Sequence, residues 1–119
     1  MKDLLNIKTE IVYQSGLSYD RNSKKSDMII DICIAAESNV YLAGCGASVE
    51  YLNREKFAKN NIKVVFHEFK HPIYSQVNSR EFVPGISILD MLFNCGIDET
   101  CSIFWANVNS THEFDEIEA

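Results

Sequence analysis

Short apolar segments alternate with segments of helical period along this chain, and that alternation is the strongest constraint on its fold. "EIVYQSGL", "NVYLAG" and "IKVVFHEF" are rich in β-branched and aromatic residues, as strands are. Between them, "SDMIIDICIAAE" repeats apolar residues at helical spacing, and "SVEYLNREKFAKNN" is a second helical stretch that we expect to break near Asn53. Strand and helix alternating at these spacings are typical of βαβ units. We therefore predict an α/β fold, a three-layer Rossmann-like fragment with a three-stranded parallel sheet core and flanking helices.

The domain organisation follows from the end of this alternation. The stretch from His71 to Pro84 has no period and is predicted to be a loop, and "GISILDMLFNCG" predicts a helix that ends at Gly96. We expect one α/β domain over residues 1–97 and an acidic, flexible tail over residues 98–119. Because a sheet of three strands has two open edges, we also expect it to be completed by a second copy of the chain, by a complementing chain, or by an upstream portion that is missing.

Composition excludes several classes of function. The 119 residues carry a net charge of −6, which argues against a nucleic-acid surface. No apolar stretch reaches the ~18 residues of a spanning helix, and the first residues do not resemble a secretory signal, so we expect a cytoplasmic protein with no membrane contact. The four cysteines form no C-x-x-C pair and the three histidines form only one loose pair, so we expect reduced thiols and no metal.

The turn "AGCGAS" lies where a predicted strand ends, which is where parallel sheets bind ligands. Gly44 and Gly46 match the first two positions of the dinucleotide-binding pattern G-x-G-x-x-G, but Val49 replaces the third glycine. Three interpretations stay open. The turn is a weak dinucleotide site, a structural turn that needs positive φ, or a site where backbone amides bind another anionic or sugar-like ligand.

Other polar residues near the predicted strand ends have two interpretations each. Cys45 is either a nucleophile at a helix start or a small residue in a turn. Ser26 either binds an anion or caps a helix, and His71, Tyr74 and Gln76 are either ligand contacts or loop surface.

Three motifs occur in order along the chain: Y-L-x-G-x-G-x-x-x-Y-L from Tyr41, F-x-H-P-x-Y-x-Q from Phe69, and F-x-P-x-x-S-I-L-D-x-L-F-N-x-G from Phe82. With them, residues 23–96 resemble the C-terminal half of the WbqC-like protein family, bacterial proteins often encoded among genes for surface polysaccharides. The N-terminal motifs of that family have no counterpart in residues 1–20. Several members have proline at the position of Cys45, which speaks against a general cysteine nucleophile.

The resemblance implies a role in bacterial surface polysaccharide (O-antigen) biosynthesis, with binding of a nucleotide sugar or similar anionic ligand at the strand ends. It identifies no catalytic residue and no cofactor, and it leaves open whether the chain is an enzyme. The alternative is a non-catalytic remnant or interaction module that pairs with itself or with a chain carrying the missing half. Asp90 also enters the candidate site, because a carboxylate on an apolar helix needs a partner, so it either caps neighbouring backbone amides or points into the crevice. The predicted ligand-binding residues are Ser26, Gly44, Gly46, His71, Tyr74, Gln76 and Asp90.

Overall fold

The computed structural model describes residues 1–46, 48–77, 79–110 and 112–114, and the chain divides into two compact units. The first unit contains Met1–Thr9 and Phe69–Thr111, and the second contains Glu10–Glu68 and His112–Ala119. The second unit holds the strands β1 (Val40–Gly44), β2 (Lys63–Glu68) and β3 (His112–Phe114) and the helices α1 (Lys25–Ala35), α2 (Ser48–Tyr51) and α3 (Arg54–Lys59). The first unit holds the long helical segment α4 (Ile88–Ser110).

The sheet has the order β1-β2-β3, and only its first two strands are parallel. Val40 lies opposite Lys63 in the parallel pair, whereas β3 runs antiparallel to β2 with Phe114 opposite Phe66. The predicted three-stranded parallel core, and with it the three-layer Rossmann-like fragment, is therefore wrong. The architecture is a small α/β arrangement in which a single βαβ crossover joins two parallel strands.

The segment predicted to be the first strand contains a single 3-10 turn, Gln14–Gly16, instead. The guanidinium of Arg21 explains the difference, because it donates hydrogen bonds to the carbonyl oxygens of Ser15 (3.4 Å) and Leu17 (2.7 Å) and lies over the Tyr19 ring. Carbonyl groups that a strand would offer to a neighbouring strand are thus bound locally. High β-propensity did not produce a strand here because that propensity reflects fit to a packed sheet surface.

The core of the second unit lies between α1, α3 and one face of the sheet. Side chains at registered positions of parallel strands point to the same face, so Ala43 and Phe66 share the buried face. Phe57 of α3 is fully buried against this face, whereas Leu42 on the opposite face is 54% exposed. The buried cluster consists of Ile30, Cys33, Ala43, Leu52, Phe57, Ile62, Val64 and Phe66.

The break between α2 and α3 occurs at Asn53, as predicted from the sequence. The Asn53 side chain accepts a hydrogen bond from the backbone N–H of Lys56 and so caps α3. The backbone N–H of Asn53 in turn donates to the Ser26 hydroxyl at 2.9 Å, which links the start of α1 to the start of α3.

The segment α4 is divided at Gly96, which has φ +80° and ψ 174°. Such a φ is strained for residues other than glycine, so the prediction that a helix ends at Gly96 is consistent with this conformation. The chain then resumes a helix, so residues 98–110 are helical and belong to the first unit. The proposed division into a domain at 1–97 and a tail at 98–119 stays a prediction.

The first residues of the chain pack against the second half of α4. Trp105 Nε1 donates a hydrogen bond to the carbonyl oxygen of Leu5 at 2.8 Å, and the Leu5 side chain is buried. Leu5, Tyr74, Met91 and Thr100 are the buried side chains of the first unit among the described residues. In the part of the chain that is described, no helix has the combined length and apolar character needed to cross a bilayer.

Candidate functional site

The carboxylate of Asp90, in the first turn of α4, accepts three side-chain hydrogen bonds. Tyr74 Oη donates to Oδ2 at 2.6 Å, Gln76 Nε2 donates to the same oxygen at 3.1 Å, and Asn94 Nδ2 donates to Oδ1 at 3.0 Å. A negative charge at a helix start is also stabilised by the helix dipole. These four residues are called the Asp90 network below. The partner that the Asp90 carboxylate was expected to need is therefore a set of three side chains.

The two amides of the Asp90 network also bind the backbone of the loop. Gln76 Nε2 donates to the carbonyl oxygen of Val83 at 3.0 Å, and Gln76 Oε1 accepts from the Val83 N–H at 2.9 Å. Asn94 Oδ1 accepts from the Val77 N–H at 2.7 Å. Each amide therefore uses both its donor and its acceptor groups, and together they fix the two sides of the loop to each other and to α4.

Tyr74 is the buried member of the Asp90 network, with 7% of its surface exposed. The hydrogen bond to the Asp90 carboxylate raises the pKa of the Tyr74 phenol above its usual value, and desolvation raises it further. A phenol with a raised pKa keeps its proton at neutral pH. Tyr74 thus remains a hydrogen-bond donor, which is the role that the geometry requires.

An aromatic surface, formed by Phe69, His71 and Phe82, lies beside Tyr74. The His71 ring is 5.8 Å from Phe69 and 5.7 Å from Phe82 between centroids, and Phe82 meets Tyr74 edge to face at 5.2 Å. Phe69 is 58% exposed, so the surface is open to solution. The start of this loop is anchored by Asn107, whose Nδ2 donates to the Lys70 carbonyl oxygen at 2.7 Å.

The imidazole of His71 has one nitrogen committed to the backbone. Nδ1 lies 2.9 Å from the carbonyl oxygen of Pro72. Because a carbonyl oxygen can only accept, this hydrogen bond requires the proton on Nδ1. In the neutral ring, Nε2 is then an acceptor that could bind a hydroxyl or amide donor of a ligand.

The structure brings together four of the seven predicted site residues. His71, Tyr74, Gln76 and Asp90 belong to one cluster in the first unit, whereas Ser26, Gly44 and Gly46 belong to the second unit. The predicted role of all seven in ligand binding stays a prediction.

Three residues of this cluster, Phe69, Phe82 and Asn94, were absent from the predicted site. Asn94 lies one helical turn after Asp90, and this i, i+4 spacing was a signal available in the sequence. Phe69 and Phe82 lie in an aperiodic loop, so no helical spacing pointed to them, although each begins one of the three motifs.

The two glycines after β1 are not held in a conformation that needs glycine. Neither Gly44 nor Gly46 has positive φ, which among the glycines occurs at Gly85 and Gly96, so the interpretation that these two glycines provide positive φ is wrong. A Cβ atom at Gly44 or Gly46 would meet no other group within 4 Å. The helix that follows, α2, has four residues, so its start has little of the dipole that favours anions.

Ser26 is placed differently from this turn. It is 5% exposed, and its hydroxyl accepts the hydrogen bond from Asn53 described above. The Ser26 hydroxyl therefore already accepts a hydrogen bond from a residue of its own unit, Asn53.

All four cysteines are free thiols. Burial raises the pKa of the Cys33 thiol, and desolvation likewise raises the pKa of the Cys95 thiol, with Glu99 and Asp90 adding to the effect. Cys45 is exposed at the glycine turn. Within the described residues, no three His, Cys, Asp or Glu side chains are grouped closely enough to hold a metal ion.

Comparison with known proteins identifies a family. The model of the WbqC-like protein family matches residues 1–101 of the 119, a range that begins before the 23–96 stretch on which the resemblance depended. No curated protein and no solved structure matches the chain.

Proposed function

We propose, since the chain belongs to the WbqC-like protein family, that it takes part in bacterial surface polysaccharide (O-antigen) biosynthesis by binding a nucleotide sugar or similar anionic ligand. The observation that carries this proposal is the Asp90 network. It joins two of the three family motifs, the loop that begins at Phe69 and the segment that begins at Phe82, into one cluster. A pairing of this kind supports a shared site for the two motifs.

The ligand contact is assigned to the aromatic surface rather than to the Asp90 network itself. Both N–H groups of the Gln76 and Asn94 amides are already used within the protein, and each amide oxygen already accepts one hydrogen bond, so we assign these two residues to positioning the loop. Phe69 and His71 can stack against a pyrimidine base or the apolar face of a sugar, an interaction worth about 1–3 kcal/mol per base on aromatic side chains. A loop held in place before binding also loses less entropy when the ligand arrives.

The phosphates of such a ligand require cations in the same loop. Lys70 and Arg80 are exposed there, and Lys70 lies between Phe69 and His71 in the chain. Arginine in particular can bind a phosphate through two parallel hydrogen bonds. The chain is acidic as a whole, so these cations are a local feature of the loop.

Thermal unfolding with UDP- and dTDP-linked sugars tests the proposal. A ligand present at a hundredfold excess over its dissociation constant stabilises the folded state by about 2.7 kcal/mol. We expect this stabilisation in the wild type and its loss in Phe69→Ala. Phe93→Ala is the matched control, since Phe93 is also in the first unit and is 89% exposed, and it should keep the stabilisation.

Two results would contradict the assignment. If none of these nucleotide sugars stabilises the wild type, the binding proposal fails. If Phe69→Ala keeps the stabilisation and Gly46→Val loses it, the ligand binds at the glycine turn instead. Gly46→Val suits this comparison because open space surrounds the position of its Cβ.

A further inference from the structure

The strand β1 is an edge of the sheet with features that edges usually avoid. β2 lies on one side of it, and no strand of the described residues lies on the other. Natural edge strands are commonly protected by charged residues, proline or bulges. The sequence of β1, V-Y-L-A-G, has none of these, whereas the inner strand β2 carries Lys63 and Glu68 at its ends. This distribution of charge favours pairing of β1 with another strand.

Hydrogen bonds next to β1 show which backbone groups point outwards. The Lys63 N–H donates to the carbonyl oxygen of Asn39 at 2.9 Å, so the polar groups of Asn39 face β2. Backbone direction alternates along a strand, so those of Val40 and Leu42 face the outer edge. The Ser38 hydroxyl, which donates to the Val40 carbonyl oxygen at 2.8 Å, fits this alternation. Both backbone groups of Leu42 are therefore placed to pair with an added strand.

The side chains of Val40 and Leu42, on the face of β1 opposite the buried core, are apolar and accessible. Val40 is 47% exposed and Leu42 is 54% exposed. An antiparallel partner with the same sequence, centred on Leu42, would place Leu42 opposite its own counterpart and Val40 opposite Gly44. Such an arrangement has two-fold symmetry, brings no like charges together and extends the apolar surface across both copies.

We infer that β1 pairs antiparallel with β1 of a second copy of this chain, with the two Leu42 residues at the symmetry axis. The pairing is independent of the ligand binding proposed above. It specifies the strand and register for the self-association expected from the open sheet edge.

Light scattering or sedimentation equilibrium on the full chain, over a dilution series spanning about 1–100 μM, tests this inference. A dimer has twice the 13.6 kDa mass of the chain. Leu42→Lys puts two ammonium groups at the axis and should raise the dimer dissociation constant by at least about tenfold. Ile34→Lys is the matched control, because Ile34 is 53% exposed in the same unit and should leave the dissociation constant unchanged.

A mixing experiment tests the register itself. Leu42→Lys and Leu42→Glu should each be monomeric, and their equimolar mixture should recover the dimer because opposite charges then meet at the axis. Circular dichroism checks that each variant is folded. If Leu42→Lys does not fold, Val40→Lys, at the same edge, replaces it.

Four results would overturn the inference. A chain that is monomeric throughout the series has no such interface. A dimer that survives the folded lysine variant of β1, or one that Ile34→Lys weakens equally, has its interface elsewhere. Failure of the mixture to dimerise, with both variants folded, excludes pairing centred on Leu42.

Discussion

Replacing Tyr74 by phenylalanine removes one hydrogen bond of the Asp90 network and leaves the ring in place. The lost bond joins a buried phenol to a carboxylate at 2.6 Å. Hydrogen bonds to charged groups contribute about 1.5–3 kcal/mol to the free energy of unfolding. Because Gln76 and Asn94 still donate to Asp90 in the variant, we expect a loss near the lower end, about 1.5–2 kcal/mol.

Urea denaturation measures this loss, and a double-mutant cycle assigns it to the pair. In an Asp90→Asn background, Tyr74→Phe should cost less than in the wild type by at least about 0.5 kcal/mol, since residues in one network are coupled. Tyr13→Phe is the matched control, because Tyr13 is 79% exposed and its substitution should change stability by no more than about 0.5 kcal/mol.

The reasoning fails if Tyr74→Phe is as stable as the control variant. It also fails if the cost is the same with and without the Asp90 carboxylate. In either case the loop would be held by packing of the aromatic rings, and the hydrogen bonds of Asp90 would be incidental.

Three further predictions concern titration, burial and thiol reactivity. The pKa of Tyr74 is raised in the folded protein, so the stability difference between wild type and Tyr74→Phe should be constant from neutral pH to about pH 9. Above about pH 10 the difference should shrink, because the phenol loses its proton first in the unfolded chain. Urea titrations that show no such decrease contradict this prediction. Thr100 is fully buried, and its hydroxyl has no hydrogen-bond partner among the described residues. Thr100→Val should therefore raise the free energy of unfolding by about 1–2 kcal/mol, whereas Thr100→Ser should lower it. A destabilised valine variant would refute the argument. At pH 8 a maleimide should modify the exposed Cys45 well before Cys33, because Cys33 is buried and the pKa of its thiol is raised. Equal modification rates of the two cysteines, measured by peptide mass spectrometry, would contradict the burial pattern.

The fold could be predicted from the sequence where the signal is local. The two strands β1 and β2, the helix α1 between residues 25 and 35, and the break at Asn53 all match segments identified by their apolar spacing and turn residues. The first predicted strand is wrong because Arg21, which follows Leu17 and Ser15 by four and six residues, binds their carbonyl oxygens, and the strand-like composition of the segment gives no sign of this. The strand β3 was missed because three residues carry no detectable period.

The candidate site could be predicted in part. The sequence indicated that Asp90 needs a partner and that Tyr74 and Gln76 are polar groups in a loop, but nothing in it joined the three. Their contact spans 14 and 16 positions of the chain and depends on how the loop folds back on α4. Spacing within one helix does identify such partners, as Asn94 at i+4 illustrates.

Short stretches of sequence were enough to indicate the family, the helical and strand segments, and the conformation expected at Gly96. Each of these depends on motifs or on interactions between residues close along the chain. The tertiary structure decided the direction of the third strand, the hydrogen-bond partners of Asp90 and the exposure of Leu42 at the sheet edge. The reason is physical: strand direction, side-chain pairing and burial are set by contacts between residues that are distant along the chain. Local propensities are too weak to choose among those contacts.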